Sequence, residues 1–441
     1  MKVLNKIILL SLGASLVSGS GFKIPEQSGD SVAMAASNVA ASFSADAAYY
    51  NPANMVFMPV HHEIGFSQQY LRLGSLNFKN ESTRFGNQNY DTSSKVGHFY
   101  VPGLNVISPF ITENIRFGMS LSVPAGMTMR WDDPYPKSIA EIFQIQVLEL
   151  APSIAYMIND QLSIAVGPRA VYSTGKAKNE VKNAQIGVST PYGVVDGDLS
   201  ARREMEGNSW DFGYNAALAY RPTENLSLAA TYRSKVNMTL KGDASIRSTF
   251  NTTSTNPAAP VVRGELEGTY NGDVSIDIPL PAILTLGTAY SWDNLTLSFA
   301  YDRTFWSSLK EFDFEYSRKV PVSDMFDKPV DKQWHDTDTF RFGVVYQYSD
   351  QLRLMGGFAI DEPAADSDKV RFELPDTKSY IYSLGSNYKF TPALDLTAAA
   401  LYQDRQKRQI NARDEHAFNN LEGTFGRTNI WILNLTLGYR F

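Results

Sequence analysis

The stretch WILNLTLGYRF (Trp431–Phe441) carries Trp431, Leu433, Leu435, Leu437, Tyr439 and Phe441 at every second position. Asn434, Thr436, Gly438 and Arg440 fall between them. A period of two puts the first set on one face of a strand and the second on the other. The same alternation runs through Trp210–Tyr220, Leu226–Val236, Phe340–Tyr348 and Leu352–Asp361. A chain built of such segments is an all-β protein.

The turns between these segments sort the possible architectures. Short polar turns followed by Leu occur at Asn159–Leu162, Thr223–Leu226, Trp292–Leu295, Ser349–Leu352 and Thr391–Leu394, with a close variant at Thr112–Ile115. Each has an aromatic residue just before it: Tyr156, Tyr220, Tyr290, Tyr346, Tyr388 and Phe110. Asx-type chemistry makes these tight hairpins. Long polar stretches separate them, at Ser75–Ser94, Lys176–Glu206, Arg247–Arg263, Val320–Asp336 and Arg408–Gly426. Short turns on one side, long loops on the other and an aromatic girdle beside the turns describe an outer-membrane barrel. Fourteen strands are expected between residues 60 and 441, an even number that places both ends of the barrel on the periplasmic side. The alternative, a large soluble sandwich, gives no reason to sort loops by length. A tube of this size is too wide to be filled by its own wall side chains.

The N-terminus reads as an export signal. Lys2 and Lys6 precede the apolar run Ile7–Val17, and Ser18-Gly19-Ser20 suit a signal peptidase. A signal at 1–20, a plug at 21–58 and a barrel at 59–441 are the expected units. Removing Lys2 and Lys6 leaves 38 basic residues, from 40, against 46 acidic ones. An acidic chain without a basic run is a poor nucleic-acid binder. There is no cysteine, so disulfides and thiolate metal sites are excluded. After residue 20 no apolar run is long enough for a membrane helix.

Residues 31–46 are almost all small, and AAYYNPANM (Ala47–Met55) follows. Small residues let short helices pack closely in a confined space. Asn51-Pro52-Ala53 is a turn signal. This segment is expected to fold inside the tube as a plug. Gly21-Phe22, the small-residue run and Asn51-Pro52-Ala53 resemble the FadL/TodX family of outer-membrane transporters for long-chain fatty acids and aromatic hydrocarbons. The resemblance continues through Gly207–Tyr220, Thr231–Val236, Tyr301–Ser308 and Phe372–Phe390. The closing Tyr439-Arg440-Phe441 is typical of barrels handed to the assembly machinery through a terminal Phe, here Phe441.

The resemblance implies a monomeric fourteen-stranded barrel in the outer membrane of a Gram-negative bacterium. Its ligand would bind first in an apolar groove among external loops and then in a lumen pocket. A rearranged plug and a kinked strand beside it would let the ligand leave sideways among the membrane lipids. No cofactor or metal is implied. Pro124–Gln146 breaks the alternation, and Ser138–Val147 reads as helical with Ile139, Ile142 and Phe143 on one face. These three are the candidate external groove. Pro102-Gly103 interrupts the second strand, and a Pro in a strand removes a ladder bond.

The family's fatty-acid members imply a basic pair for the ligand carboxylate. Inward-phase candidates here are Arg169, Arg233 and Arg341, with Lys176 nearby; inward acids such as Glu149, Asp211, Asp302 and Asp361 are their expected partners. A neutral aromatic hydrocarbon would need no counter-charge and remains the alternative, as does a general porin. Catalysis is not expected, because His61, His62, His98, His335 and His416 sit in no nucleophile motif.

Overall fold

The computed structural model describes residues 21–81, 90–412 and 421–441. The expected signal at 1–20 lies outside the described residues. Fourteen antiparallel strands form a closed barrel. They are β1 (Glu63–Leu73), β2 (Gly97–Thr112), β3 (Ile115–Arg130), β4 (Ile142–Asn159), β5 (Leu162–Thr190), β6 (Gly193–Tyr220), β7 (Leu226–Arg233 continuing as Val236–Asn251), β8 (Gly268–Leu280 continuing as Ile283–Trp292), β9 (Leu295–Thr304), β10 (Thr337–Gln347), β11 (Leu352–Asp361), β12 (Ser379–Lys389), β13 (Leu394–Arg405) and β14 (Thr428–Arg440). The ring shuts where Glu63–Leu73 pairs with Arg440–Ile430. Closure leaves no sheet edge to present bare amides to lipid.

Alternation sets the two surfaces. Leu433, Leu435, Leu437, Tyr439 and Phe441 are exposed on the outside, while Asn434 and Thr436 are buried within. Tyr156, Tyr220, Tyr290, Tyr346 and Tyr388 are exposed beside the short turns, as a girdle requires.

Three sequence expectations need correction. The helix expected over Ser138–Val147 is instead a shorter one at Pro134–Ala140, and Ile142 already begins β4. Pro134 and Pro136 fit a first helical turn, where a missing N–H costs little. From Ile142 onward burial alternates with period two, and β4 pairs with both β3 and β5. Lys176–Glu206 is not a loop. It is the outer half of a hairpin turning at Pro191-Tyr192. Cross-strand ion pairs bind it: Lys176 to Glu206 at 3.4 Å, Lys178 to Glu204 at 2.9 Å and Glu180 to Arg202 at 2.9 Å. Arg247–Arg263 likewise continues β7 to Asn251 before a helix at Ala259–Leu266.

Residues 21–58 fill the lumen. Two short helices, α1 (Gly29–Ala33) and α2 (Ala47–Tyr50), and a 3-10 turn at Pro52–Phe57 are almost wholly buried against the wall. Wall glycines make room. A Cβ at Gly357 would collide with the backbone of Met34 and Ala35, and one at Gly385 would press on Ala33.

One seam of the barrel is incomplete. β2 and β3 pair only from Leu104/Leu121 to Thr112/Ile115, and β3 bulges between Ser122 and Ala125. Above that point the plug takes the free edge of β3. Ile24 N–H donates to the Pro124 carbonyl at 2.8 Å, and Gly126 N–H to the Phe22 carbonyl at 2.9 Å. The Gln27 side chain adds both of its groups to Val123: it accepts from N–H at 2.9 Å and donates to C=O at 3.0 Å. Pro102 stays in register opposite Gln68, so the break lies at Pro124 rather than at Pro102-Gly103.

Candidate functional site

The plug is tied to the wall by charge as well as by packing. Arg353 donates to Asp30 at 3.1 Å, and Arg341 bridges Asp302 at 2.8 Å, Glu26 at 3.4 Å and the Ala35 carbonyl at 2.9 Å. Lys23 donates to Thr304 and Thr339, each at 3.1 Å, with Asp361 at 3.6 Å. Arg116 closes the lower end by donating to the carbonyls of Met55 and Met58.

Inside the plug, Asp46 accepts from Ser28 at 2.6 Å, Asn38 at 2.9 Å and Ser44 at 3.1 Å. Burial, and then the nearby Asp30 carboxylate, push its carboxyl up to about 7. Ala35 and Ala36 both hold positive φ, at 50° and 58°. That conformation costs a non-glycine residue about 1–2 kcal/mol.

Where the plug meets the wall, a small cavity opens. Ile24, Pro25, Pro124, Leu280, Pro281 and Ile283 give it apolar surface; Lys23, Arg169, Arg233, Tyr49 and Asp302 give it polar groups. The irregularities of the wall gather here. The bulge of β3 supplies Pro124, the interruption of β8 supplies Pro281, and the interruption of β7 follows Arg233. Broken ladder bonds free backbone groups, and Arg169 uses one by donating to the Ser234 carbonyl at 2.6 Å.

The structure brings together two of the four head-group candidates. Arg169 donates to Glu149 at 2.7 and 2.9 Å, and Arg233 bonds the other oxygen of the same carboxylate while stacking on Tyr49 at 4.3 Å. Arg341 is fully buried beneath the plug and outside this cavity. Lys176 lies higher, against Glu206, on a second, apolar cavity lined also by Leu240, Ile276 and Ile278. Sequence reading missed Lys23 and Tyr49, which sit in the plug and carried no alternation signal. Asp211, named as a partner, makes no ion pair among the described residues.

Asn51, Pro52 and Ala53 do not touch the cavity. Asn51 caps the 3-10 turn through Ala53 N–H at 3.1 Å and donates to the carbonyls of Val39 at 3.1 Å and Leu218 at 3.3 Å. It shapes the plug and fastens it to β6.

Ile139, Ile142 and Phe143 do share one place. They line a cavity in the external layer, with Ala140, Phe312, Phe314, Met325, Phe326, Val330, Arg203 and Arg371. Phe143, Ala177 and Phe314 also line the apolar cavity of Lys176 below it. The inward face of β8 then runs from Val274 through Ile276 and Ile278 to Leu280, which borders the lumen cavity. An apolar track therefore descends from the loops to the plug.

A family model described as outer membrane protein transport protein (OMPP1/FadL/TodX) matches residues 10–441. The chain belongs to this family. As a member of the FadL/TodX family it is an outer-membrane protein of a Gram-negative bacterium. A long-chain fatty acid transport protein of Salmonella typhi is 24% identical over 71% of this chain and 71% of its own length. The crystal structure of a Pseudomonas aeruginosa FadL homologue superposes with a TM-score of 0.79 at 19% identity, covering 96% of this chain and all of that one. The Ralstonia pickettii toluene transporter TbuX superposes at 0.67 with 17% identity, over 96% of this chain and 99% of that one. These two likenesses establish the FadL/TodX fold. The family's members are outer-membrane transporters and channels, not enzymes.

Proposed function

We propose that this protein takes up long-chain fatty acids across the outer membrane, as a monomer, through the apolar track and past a movable plug. The observation that carries the reading is the convergence of Lys23, Arg169 and Arg233 on one largely apolar cavity. A tail finds Ile24, Leu280 and Ile283 there, and a carboxylate finds guanidinium groups, which recognise it through paired charge-assisted hydrogen bonds. The relatives' names support the class: one is a long-chain fatty acid transport protein. Residues 1–20 serve as the export signal and residues 21–58 as the moving part. Phe441 presents the new chain to the barrel assembly machinery, and the bulged β3 seam offers the ligand a side exit to membrane lipids.

A second reading, uptake of neutral aromatic hydrocarbons, is favoured by one feature. Glu149 already occupies both Arg169 and Arg233, which lessens their hold on a second anion. A toluene transporter shares the fold. Equilibrium binding to the purified full chain in nanodiscs separates the two. Oleate binding that weakens about ten-fold in Arg233→Gln, with oleyl alcohol unchanged, supports the fatty-acid reading. Toluene binding with no measurable oleate binding replaces it with the second. A chain that binds none of the three, yet conducts ions steadily, is a porin.

A further inference from the structure

Arg203 stands on β6 and faces the cavity of the external layer that Ile139, Ile142 and Phe143 line. Its side chain is largely buried, and its guanidinium lies between two rings, 4.8 Å from Phe314 and 4.9 Å from Phe326. It donates to Asn179 Oδ1 at 2.7 and 3.1 Å, to the Tyr316 hydroxyl at 3.2 Å and to the Phe326 carbonyl at 3.2 Å. Every one of these acceptors is neutral. Among the described residues no carboxylate lies within ion-pair distance of Arg203.

A buried charge is costly unless it is paired. Ring faces and neutral oxygens hold a guanidinium in place without cancelling its charge. The other buried arginines of the wall differ. Arg169, Arg341 and Arg353 are each held by a carboxylate. Arg116 and Arg405 donate to carbonyls but border none of the three cavities. Of the five N–H groups of Arg203, the four bonds above leave one on Nη2 uncommitted. Arg371 lines the same cavity, and Glu373, its one acidic lining residue, is committed to the buried Lys332 at 2.5 Å. The pocket is thus apolar in surface and cationic in charge.

We propose that Arg203 is the specificity-determining residue of first capture: it selects amphiphiles with an anionic head, whose tail lies along Ile139, Phe143, Phe312 and Val330. The head group docks at the rim of the sandwich formed by Phe314 and Phe326, where it supplies the missing counter-charge. This deepens the fatty-acid reading and rests on it for the direction of travel, but not for the binding event. It also assigns the external layer a filter that acts before the lumen cavity is reached.

The test uses the full chain in nanodiscs and two photoprobes, a palmitate and a hexadecanol analogue, each with a diazirine at the tail end. Labelled peptides are mapped by mass spectrometry. In the wild type, the acid is expected to label the external pocket about ten-fold more than the alcohol. Arg203→Gln should erase that preference, and Arg203→Lys, which keeps the charge and loses the fork, should retain part of it. A heat-shifted band on a gel reports whether each variant is a closed barrel, and the wild-type acid-to-alcohol ratio stands without any variant. Equal labelling of the pocket by acid and alcohol in the wild type overturns the proposal. So does Arg233-dependent labelling of the lumen cavity with none in the external pocket, which would leave the transport reading intact. Arg203-dependent labelling outside, with the lumen cavity untouched, supports the proposal and sinks the lumen reading.

Discussion

Arg353 of β11 grips Asp30 of the plug at 3.1 Å, with the carboxylate wholly buried and the guanidinium stacked on Phe43 at 4.9 Å. Removing one partner of a buried pair leaves the other uncompensated, at a cost of about 3–5 kcal/mol. Asp30→Ala is therefore expected to loosen the plug while the barrel stays closed. Planar-bilayer recordings should show conductance rising from near zero to frequent large openings. Adding Arg353→Met to Asp30→Ala should quieten them again. A silent single variant would remove the pair from the plug's anchorage.

Asp46 makes plug docking depend on pH. Its carboxyl is raised from 3.8 to about 7 by burial and by Asp30. The docked plug therefore holds a proton that the released segment gives up. Docking is strongest below pH 4, weakens as pH rises toward 7, and levels off above it, by up to about 4 kcal/mol in all. Hydrogen exchange at residues 28–46, corrected for its intrinsic rate, should be faster at pH 8 than at pH 5. Asp46→Asn should abolish the difference; a difference that survives assigns the pH dependence to another group.

Gly357 admits the plug backbone where any side chain would strike Met34 and Ala35. Gly357→Val is expected to evict α1 without opening the wall. Trypsin should then cut after Lys23 in the intact, heat-shifted barrel. Protection equal to wild type would mean that β11 can bow outward enough to absorb the valine.

The left-handed pair Ala35-Ala36 stores strain in the closed state. Replacing both by glycine removes about 1 kcal/mol or more per site, less the added freedom of the released chain. The closed plug should become more stable, and fatty-acid uptake by cells should slow several-fold. Faster uptake would show that the strain does not resist closure.

Glu149 holds two arginines at the lumen cavity, so Glu149→Gln exposes two positive charges to any ligand. Oleate should bind about ten-fold more tightly, with oleyl alcohol unaffected. Unchanged oleate affinity would show that Arg169 and Arg233 do not meet the head group.

Lipid made much of this fold readable. Trp431–Phe441 alternates because one face meets hydrocarbon and the other the plug, so each residue declares its side. Lys176–Glu206 looked like a loop because its outer face meets water instead of lipid and carries charge, while only its inner face, with Val195, Leu199, Ala201 and Met205, is buried; its strands are held by ion pairs between residues more than twenty positions apart. Arg169 and Arg233 were legible as inward by phase alone. Their common carboxylate was not, because the three pairings that join them through β4, β5, β6 and β7 follow from register, not from local sequence. Lys23, Tyr49 and Asp30 were hidden for another reason. The plug has no period, and its contacts with β10, β11 and the cavity arise only once it is threaded inside the tube.

The bonds of Phe22 and Ile24 to Gly126 and Pro124 make the plug a missing length of wall. Any motion that withdraws it from the lumen also strips the upper edge of β3 of its hydrogen-bond partners. Clearing the passage and unlacing its flank are then one event, with a single energetic threshold, and the bare amides left behind pull the segment home once the cargo has gone.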